Sequence, residues 1–375
     1  MPTVAVIGAG QAGLACAHLL QQAGVDVVVL ERAGVGASWR GRYDRLTLNT
    51  DRRLSSLPGR PIPSSRKRWV SRDEFVAYLE SYAEELPVRT DVEVTRLEQE
   101  ASGWRLRAAR RTVLRAQHVV VATGANRVPF LPSWAGRPTI PVSHSSEYRT
   151  SAPYRGQTVL VVGAGNSGCE IAADLSATSG VLLSVRTPPA LFPRAVGPVA
   201  TQLGAFPMPL VPARVGDLAI SAAMQLWHRG DKALGLATPR RPVTAARSGE
   251  IPVLDAGLRA AVRSGQVQVV AAVERLAGRQ VILADGTAVR PDSVVAATGW
   301  RPGLEPLVGH LGVLDERGQP LTRLPGLHFV GFGPSLTGYI HAAGYEAASV
   351  ASSVTGGSAL TRASISVRRR LPLPA

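Results

Sequence analysis

The chain has 375 residues, of which 45% are hydrophobic, with a formal charge of +15 and two cysteines. That length suffices for two domains with buried cores, and no run approaches the roughly 18 uninterrupted apolar residues of a membrane-spanning helix, so a soluble, cytoplasmic protein is expected. The charge invites nucleic-acid binding, but of the 42 basic residues only Lys67 and Lys232 are lysines, and the arginines are scattered as a coding bias would scatter them; no nucleic-acid partner is expected.

Thr3 to Ile7 is a short apolar β-run, followed by GAGQAG at Gly8 to Gly13 and a helical pattern from Gln11 to Ala23. Strand, glycine turn and helix in that order make a dinucleotide fingerprint. Gly8 makes the tight turn, Gly10 lets the backbone approach a pyrophosphate, and Gly13 lets the helix pack on the strand. Free N–H groups where the helix begins, at Gln11 and Ala12, attract phosphate. The next apolar strand, Val25 to Leu30, ends at Glu31, about 20 residues past the turn, where a carboxylate accepts from both hydroxyls of an unphosphorylated ribose. FAD or NAD fits such an end.

Val119 to Thr123 reads as a buried strand closing in Ala122-Thr123-Gly124. Thr158 to Val162 then opens a second copy of the fingerprint, GAGNSG, in which Gly163, Gly165 and Gly168 take the three glycine roles and Asn166 and Ser167 start the helix. Its strand, Val181 to Val185, ends at Arg186 instead of an acid. A guanidinium there pairs with the 2′-phosphate of NADPH; the alternative is one more surface arginine in an arginine-rich chain. Pro188 to Trp227 is Pro-rich and apolar, and reads as a substrate-access surface, a membrane contact or a plain interdomain insertion. A second ATG, Ala297-Thr298-Gly299, ends the run from Ser293 and repeats the first. Leu327 to Gly331 is a short strand, Gly331 to Gly338 a loop, and Tyr339 to Val354 a helix.

These elements predict an α/β chain of two dinucleotide-binding, Rossmann-like domains. The FAD domain is expected at 1–150 and 300–356, with the NADP domain at 151–299 inserted into it, a Pro-rich insertion at 188–245 and a flexible basic tail at 357–375. Cys16 and Cys169 lie in the two fingerprint helices and form no CxxC, which argues against a disulfide reductase on this plan. No His/Cys cluster supports a metal.

Around these motifs the chain resembles the class B flavin-dependent monooxygenases, especially the flavin-containing monooxygenase branch that includes the plant YUCCA enzymes. The resemblance spans nearly the whole chain. It rests on Gly36-Ala37-Ser38-Trp39, Tyr43-Asp44-Arg45-Leu46, Leu57-Pro58 with Pro61 and Pro63, GNSGCEIAADL from Gly165, VRTPPALFPR from Val185, GEIPVLD from Gly249 and DSVVAATGW from Asp292. One signature departs. His144 and Tyr148 keep HxxxY, while Pro138 and Ile140 replace the aromatic and glycine that should precede it, with Trp134-Ala135-Gly136 as a displaced equivalent. A role for His144 beyond positioning the interdomain linker is weakened, and the missing Trp-Pro after it argues against a Baeyer-Villiger subtype.

The resemblance implies that NADPH reduces FAD, that dioxygen adds to the reduced ring as a 4a-(hydro)peroxide, and that oxygen passes to a small molecule, either a nitrogen or sulfur centre or an α-keto acid. The expected FAD set is Gly8, Gly10, Gln11, Ala12, Gly13, Glu31, Arg32, Trp39, Val94, Thr123 and Gly124. The expected NADPH set is Gly163, Gly165, Asn166, Ser167, Gly168, Arg186 and Gly299. Asn49 aligns with the family asparagine beside the flavin and is the candidate catalytic residue, its amide donating to bound oxygen or reduced flavin; shaping an Asn-Thr-Asp turn is the plainer alternative. His144, Tyr339, His341 and Glu346 are neighbours without assigned chemistry. The rivals are an NADPH oxidase or reductase without oxygen transfer, and a nucleotide-sensing or nucleic-acid-binding protein on a retained scaffold. Dioxygen and a small substrate are the expected partners, and a homo-oligomer is left open.

Overall fold

The computed structural model describes residues 3–108, 111–134, 138–205, 211–248, 250, 252–321, 324–333 and 338–357. The principal elements in chain order are β1 (Val4–Ile7), α1 (Gln11–Gln22), β2 (Val27–Leu30), α2 (Arg72–Ala83), β3 (Val88–Arg89), β4 (His118–Val121), β5 (Val142–His144), β6 (Thr158–Val162), α3 (Asn166–Leu175), β7 (Gly180–Ser184), α4 (Ala213–Trp227), α5 (Leu258–Arg263), β8 (Val267–Val270), β9 (Ser293–Ala296), β10 (Leu327–Phe329) and α6 (Tyr339–Val354). They divide into two compact units, one of Met1–Gly41, Thr50–Val128 and Arg301–Ala375, the other of Arg42–Asn49 and Pro129–Trp300.

In the first unit five parallel strands lie in the order β10-β4-β1-β2-β3, with Val4 opposite both Val27 and His118. β1 and β2 are valine-rich runs buried at every position, the pattern of a parallel strand covered on both faces. α1 packs on β1 and β2 and against α6. Ala5, Ile7, Val28, Leu30, Val119 and Val121 form one core with Leu97, Trp104 and Leu106. Those last three come from an antiparallel trio, Arg96–Glu100, Gly103–Ala108 and Arg111–Ala116, which directly precedes β4.

The second unit repeats this plan. Its parallel sheet runs β5-β9-β6-β7-β8, with Val159 opposite Ser293 and Val181. Again the fingerprint strand is central, the ATG strand lies beside it, and an antiparallel trio, Val273–Ala277, Gln280–Leu283 and Ala288–Val289, precedes the ATG strand. The duplication read from the glycine turns therefore extends through whole units.

The later unit limit, between Trp300 and Arg301, falls within one residue of the expected 300, whereas the earlier one differs from the expected 150. Residues 129–150 lie in the second unit because β5 pairs alongside β9 at its sheet edge. Residues 42–49, expected in the FAD domain, lie there too. Apart from Gly357, the proposed tail falls outside the described residues, as do Ala135 and Gly136 of the displaced signature and 206–210 of the insertion. Among the described residues no helix is long and apolar enough to cross a membrane.

Candidate functional site

Two glycines of the first cradle, Gly8 and Gly13, have no room for a side chain. Gly8 turns at φ +106°, where a Cβ would stand 2.6 Å from the Ala122 carbonyl oxygen, and a Cβ on Gly13 would stand 1.9 Å from the Gly8 oxygen. At Gly10 and Gly124 an added Cβ meets nothing within 4 Å, so the structure leaves space in front of α1. Gly10 caps that helix without a side-chain bond, which keeps its first N–H groups available to an anion. Glu31 is fixed by the turn itself: Oε2 accepts from the Ala9 N–H at 2.7 Å and Oε1 from the Ala33 N–H at 3.0 Å. A carboxylate has about four lone-pair sites, so both oxygens keep capacity for ribose hydroxyls. The Thr123 hydroxyl is buried without a partner, and its Cα lies near the Gly8 turn. An open phosphate end, an acceptor pair for a ribose and an orphaned hydroxyl fit the adenosine and pyrophosphate of FAD.

Trp39 supports this cradle from the side, donating from Nε1 to Gln11 Oε1 at 3.0 Å and meeting Phe75 edge-on at 4.9 Å. Val94 is buried, while Arg32 is half exposed with Nη1 4.0 Å from Glu93 Oε1. Glu346 accepts from the Gly331 N–H at 2.6 Å and so ties α6 to the preceding turn, and His341 lies edge-on to Tyr345.

The second cradle has the same geometry. Gly163 turns at φ +104° with a Cβ position 2.5 Å from the Ala297 oxygen, Gly168 would clash with the Gly163 oxygen at 1.9 Å, and Gly165 faces open space. Two differences separate the sites. Arg186 is exposed two residues past β7, one position beyond the place that Glu31 occupies directly after β2. Thr298, unlike Thr123, donates to the Phe130 carbonyl. Asn166 at the start of α3 accepts from the Leu254 N–H at 3.0 Å, so its side chain fastens the short strand Val253–Asp255 to the helix, with Ser167 next in the same turn. His144 accepts at Nδ1 from the Ser146 N–H at 3.1 Å, which leaves its proton on Nε2 to donate to the Gly299 carbonyl at 3.0 Å. Burial lowers its pKa, and the neutral ring pins the ATG turn.

Residues 42–49 form a third feature within the second unit. Asn49 Nδ2 donates to Glu170 Oε1 at 3.0 Å, and the Tyr43 hydroxyl donates to Glu170 Oε2. Arg194 donates to the Leu48 carbonyl at 2.6 Å and the Thr47 hydroxyl at 3.0 Å, and Gln202 Nε2 donates to the Asn49 carbonyl at 2.6 Å. Arg45 pairs with Asp174 at 2.6 Å. Burial pushes the Glu170 carboxyl above the usual carboxylate range, against hydrogen bonds from Tyr43 and Asn49 that pull it down. A cavity of about 410 Å³ is lined by Tyr43, Arg45, Glu170 and Arg194 among others. Sequence reasoning gave no role to Glu170, Tyr43, Arg194 or Gln202. The available signal was an acid in the otherwise apolar run Cys169 to Ala173.

Two turns of one design, followed in one case by a carboxylate and in the other by a guanidinium, define a two-nucleotide oxidoreductase of the α/β class. A family model described as pyridine nucleotide-disulphide oxidoreductase matches residues 5–191. The chain is 32% identical over 353 residues to indole-3-pyruvate monooxygenase YUCCA1 of Oryza sativa subsp. japonica, covering 88% of this chain and 87% of that one. It is 34% identical over 327 residues to indole-3-pyruvate monooxygenase YUCCA4 of the same organism, covering 80% and 74%. Among solved structures it is similar to the flavin-containing monooxygenase from Stenotrophomonas maltophilia, with a TM-score of 0.74, 25% identity and coverage of 95% and 98%. The chain belongs to the YUCCA family of flavin monooxygenases, and it is an FAD- and NADPH-dependent enzyme that oxygenates a small molecule. Cys16, in the first unit, and Cys169, in the second, are buried free thiols. No group of metal-ligating side chains occurs among the described residues.

Proposed function

We propose that this monooxygenase acts on an α-keto acid and removes its carboxyl group: keto acid, O2, NADPH and H+ give the carboxylic acid one carbon shorter, CO2, H2O and NADP+. The observation that carries this reading is identity above 30%, over most of both chains, to proteins named for an α-keto acid substrate. Bound FAD and NADPH supply hydride transfer and oxygen activation, and the chain's residues bind, orient and shield. In this reading Gly8, Gly10, Gln11, Ala12, Gly13, Glu31, Arg32, Trp39, Val94, Thr123 and Gly124 hold FAD. Gly163, Gly165, Asn166, Ser167, Gly168, Arg186 and Gly299 hold NADPH, with the guanidinium of Arg186 on the 2′-phosphate. Asn49 is the catalytic residue, and a cytoplasmic location belongs to the same reading.

The test is to supply the purified yellow protein with NADPH and either indole-3-pyruvate or phenylpyruvate, and to measure CO2, shortened acid and hydrogen peroxide. Acid and CO2 matching NADPH consumed is the expected result. Oxygenation of amines or thioethers in place of keto acids would move the substrate to a nitrogen or sulfur centre. Peroxide equal to NADPH with every acceptor would make the protein an oxidase.

A further inference from the structure

Asn49 is held twice, and by different groups. Its main chain is set by Gln202, which donates to the Asn49 carbonyl, and by Arg194, which donates to the neighbouring Leu48 carbonyl. Its carboxamide is set by Glu170, which takes an N–H of Nδ2 at 3.0 Å. The second oxygen of that carboxylate is occupied by the Tyr43 hydroxyl, at the other end of the same eight-residue segment. One acid on α3 therefore fastens both ends of 42–49.

This arrangement fixes which way the amide faces. A half-turn of the carboxamide would set Oδ1 against Glu170, acceptor against acceptor. With Nδ2 committed, Oδ1 is the end left over, and it is buried without a hydrogen-bond partner. A buried acceptor without a partner calls for one, and among ligands an N–H donor supplies it. Both FAD and the nicotinamide of NADPH carry such groups.

We propose that Glu170 is a positioning residue for the oxygenation reaction, holding the Asn49 carboxamide so that Oδ1 is presented to an N–H donor of a bound cofactor. The proposal rests on the reading of Asn49 given above, and assigns it an acceptor role where the sequence alone pointed to a donor. Tyr43 assists by occupying the other carboxylate oxygen, which keeps Glu170 from turning away.

The test compares Asn49→Ala, Glu170→Ala, the double variant and Glu170→Gln. Three quantities are read: the fraction of NADPH oxidised that appears as hydrogen peroxide, the thermal midpoint of flavin-free protein, and the affinity for NADP+ beside that for 2′,5′-ADP, which lacks nicotinamide. Each alanine variant is expected to raise the peroxide fraction about three-fold or more, and the double variant no further than either single, in both peroxide fraction and thermal midpoint. Glu170→Gln still accepts from Asn49 and can donate to the Tyr43 oxygen, so it is expected to stay within about two-fold of the parent. If NADP+ weakens while 2′,5′-ADP does not, the donor belongs to the nicotinamide; if neither weakens while peroxide rises, it belongs to the flavin. Additive losses in the double variant, or Glu170→Gln as damaged as Glu170→Ala, would overturn the proposal in favour of general support of α3. Peroxide rising in Asn49→Ala but not in Glu170→Ala would overturn it and leave the reading of Asn49 standing. An Asn49→Ala variant as well coupled as the parent would overturn both.

Discussion

Arg186 is exposed just past β7, one position beyond the counterpart of Glu31 in the other unit, and this difference in charge predicts how the nucleotides are told apart. On the proposed role of Arg186, its replacement by Ala would remove a charge-assisted contact with the 2′-phosphate, so KM for NADPH should rise by about ten-fold or more while KM for NADH hardly moves. An unchanged ratio of the two constants would remove the assignment. Burial pushes both thiols well above their ordinary range, with nearby Glu346 adding to the effect at Cys16 and Glu170 at Cys169. A disulfide-exchange reagent should therefore label neither cysteine in the native protein and both in denaturant; prompt native labelling would contradict the burial of those helices. The positions of Glu31 and Arg186 were legible in the sequence because each closes the apolar run that follows a glycine turn. Glu170 was not, because its partners lie 121 and 127 residues away and no local pattern announces such a meeting.

Two glycines of the first turn make opposite predictions. At Gly13 a Cβ would stand 1.9 Å from a backbone oxygen, so Gly13→Ala must push α1 off its strand and should destabilise the flavin-free protein by about 1–3 kcal/mol or more. Gly10 has an ordinary extended backbone and open space before it. Gly10→Ala should leave the flavin-free thermal midpoint nearly unchanged and still weaken FAD retention, measured as flavin lost on gel filtration. A fall in the apo-protein midpoint as large as that of Gly13→Ala would show that the space is not reserved for ligand. At this scale the sequence was informative: β1, β2, β6 and β7 lie where the valine-rich runs end in glycine turns or charges, and α6 spans Tyr339–Val354 as read. β5 was invisible, since three residues, Val142–His144, carry no period and nothing in them names the sheet edge they join.

Across the molecule, stability depends on a charge network as well as on the buried apolar cores. Asp231 is fully buried and takes Arg259 Nε at 2.6 Å, Arg263 Nε at 2.7 Å and His228 Nδ1 at 3.0 Å. Burial alone would raise its carboxyl pKa, but the hydrogen bonds from Arg259 and Arg263 outweigh it and hold the group below the ordinary value. A depressed folded-state pKa contributes stability that is present above the unfolded value of about 3.9 and is lost as pH falls through the folded value. The urea midpoint should therefore drop steeply below about pH 4 in the parent and less steeply in Asp231→Asn; parallel curves would show that the network carries no linkage. Asp231→Ala should cost about 3 kcal/mol at neutral pH, chiefly because it leaves the largely buried Arg259 guanidinium without its carboxylate, whereas Arg263 is solvated. The interleaving of the units also governs how the chain is made. Synthesis proceeds from residue 1, so the first sheet waits with β4 as a bare edge until β10, Leu327–Phe329, has been translated, and the whole span 129–300 leaves the ribosome in between. A nascent chain halted before residue 327 would thus carry a finished second sheet beside an open, valine-lined edge, the kind of surface on which unpaired strands of neighbouring chains assemble.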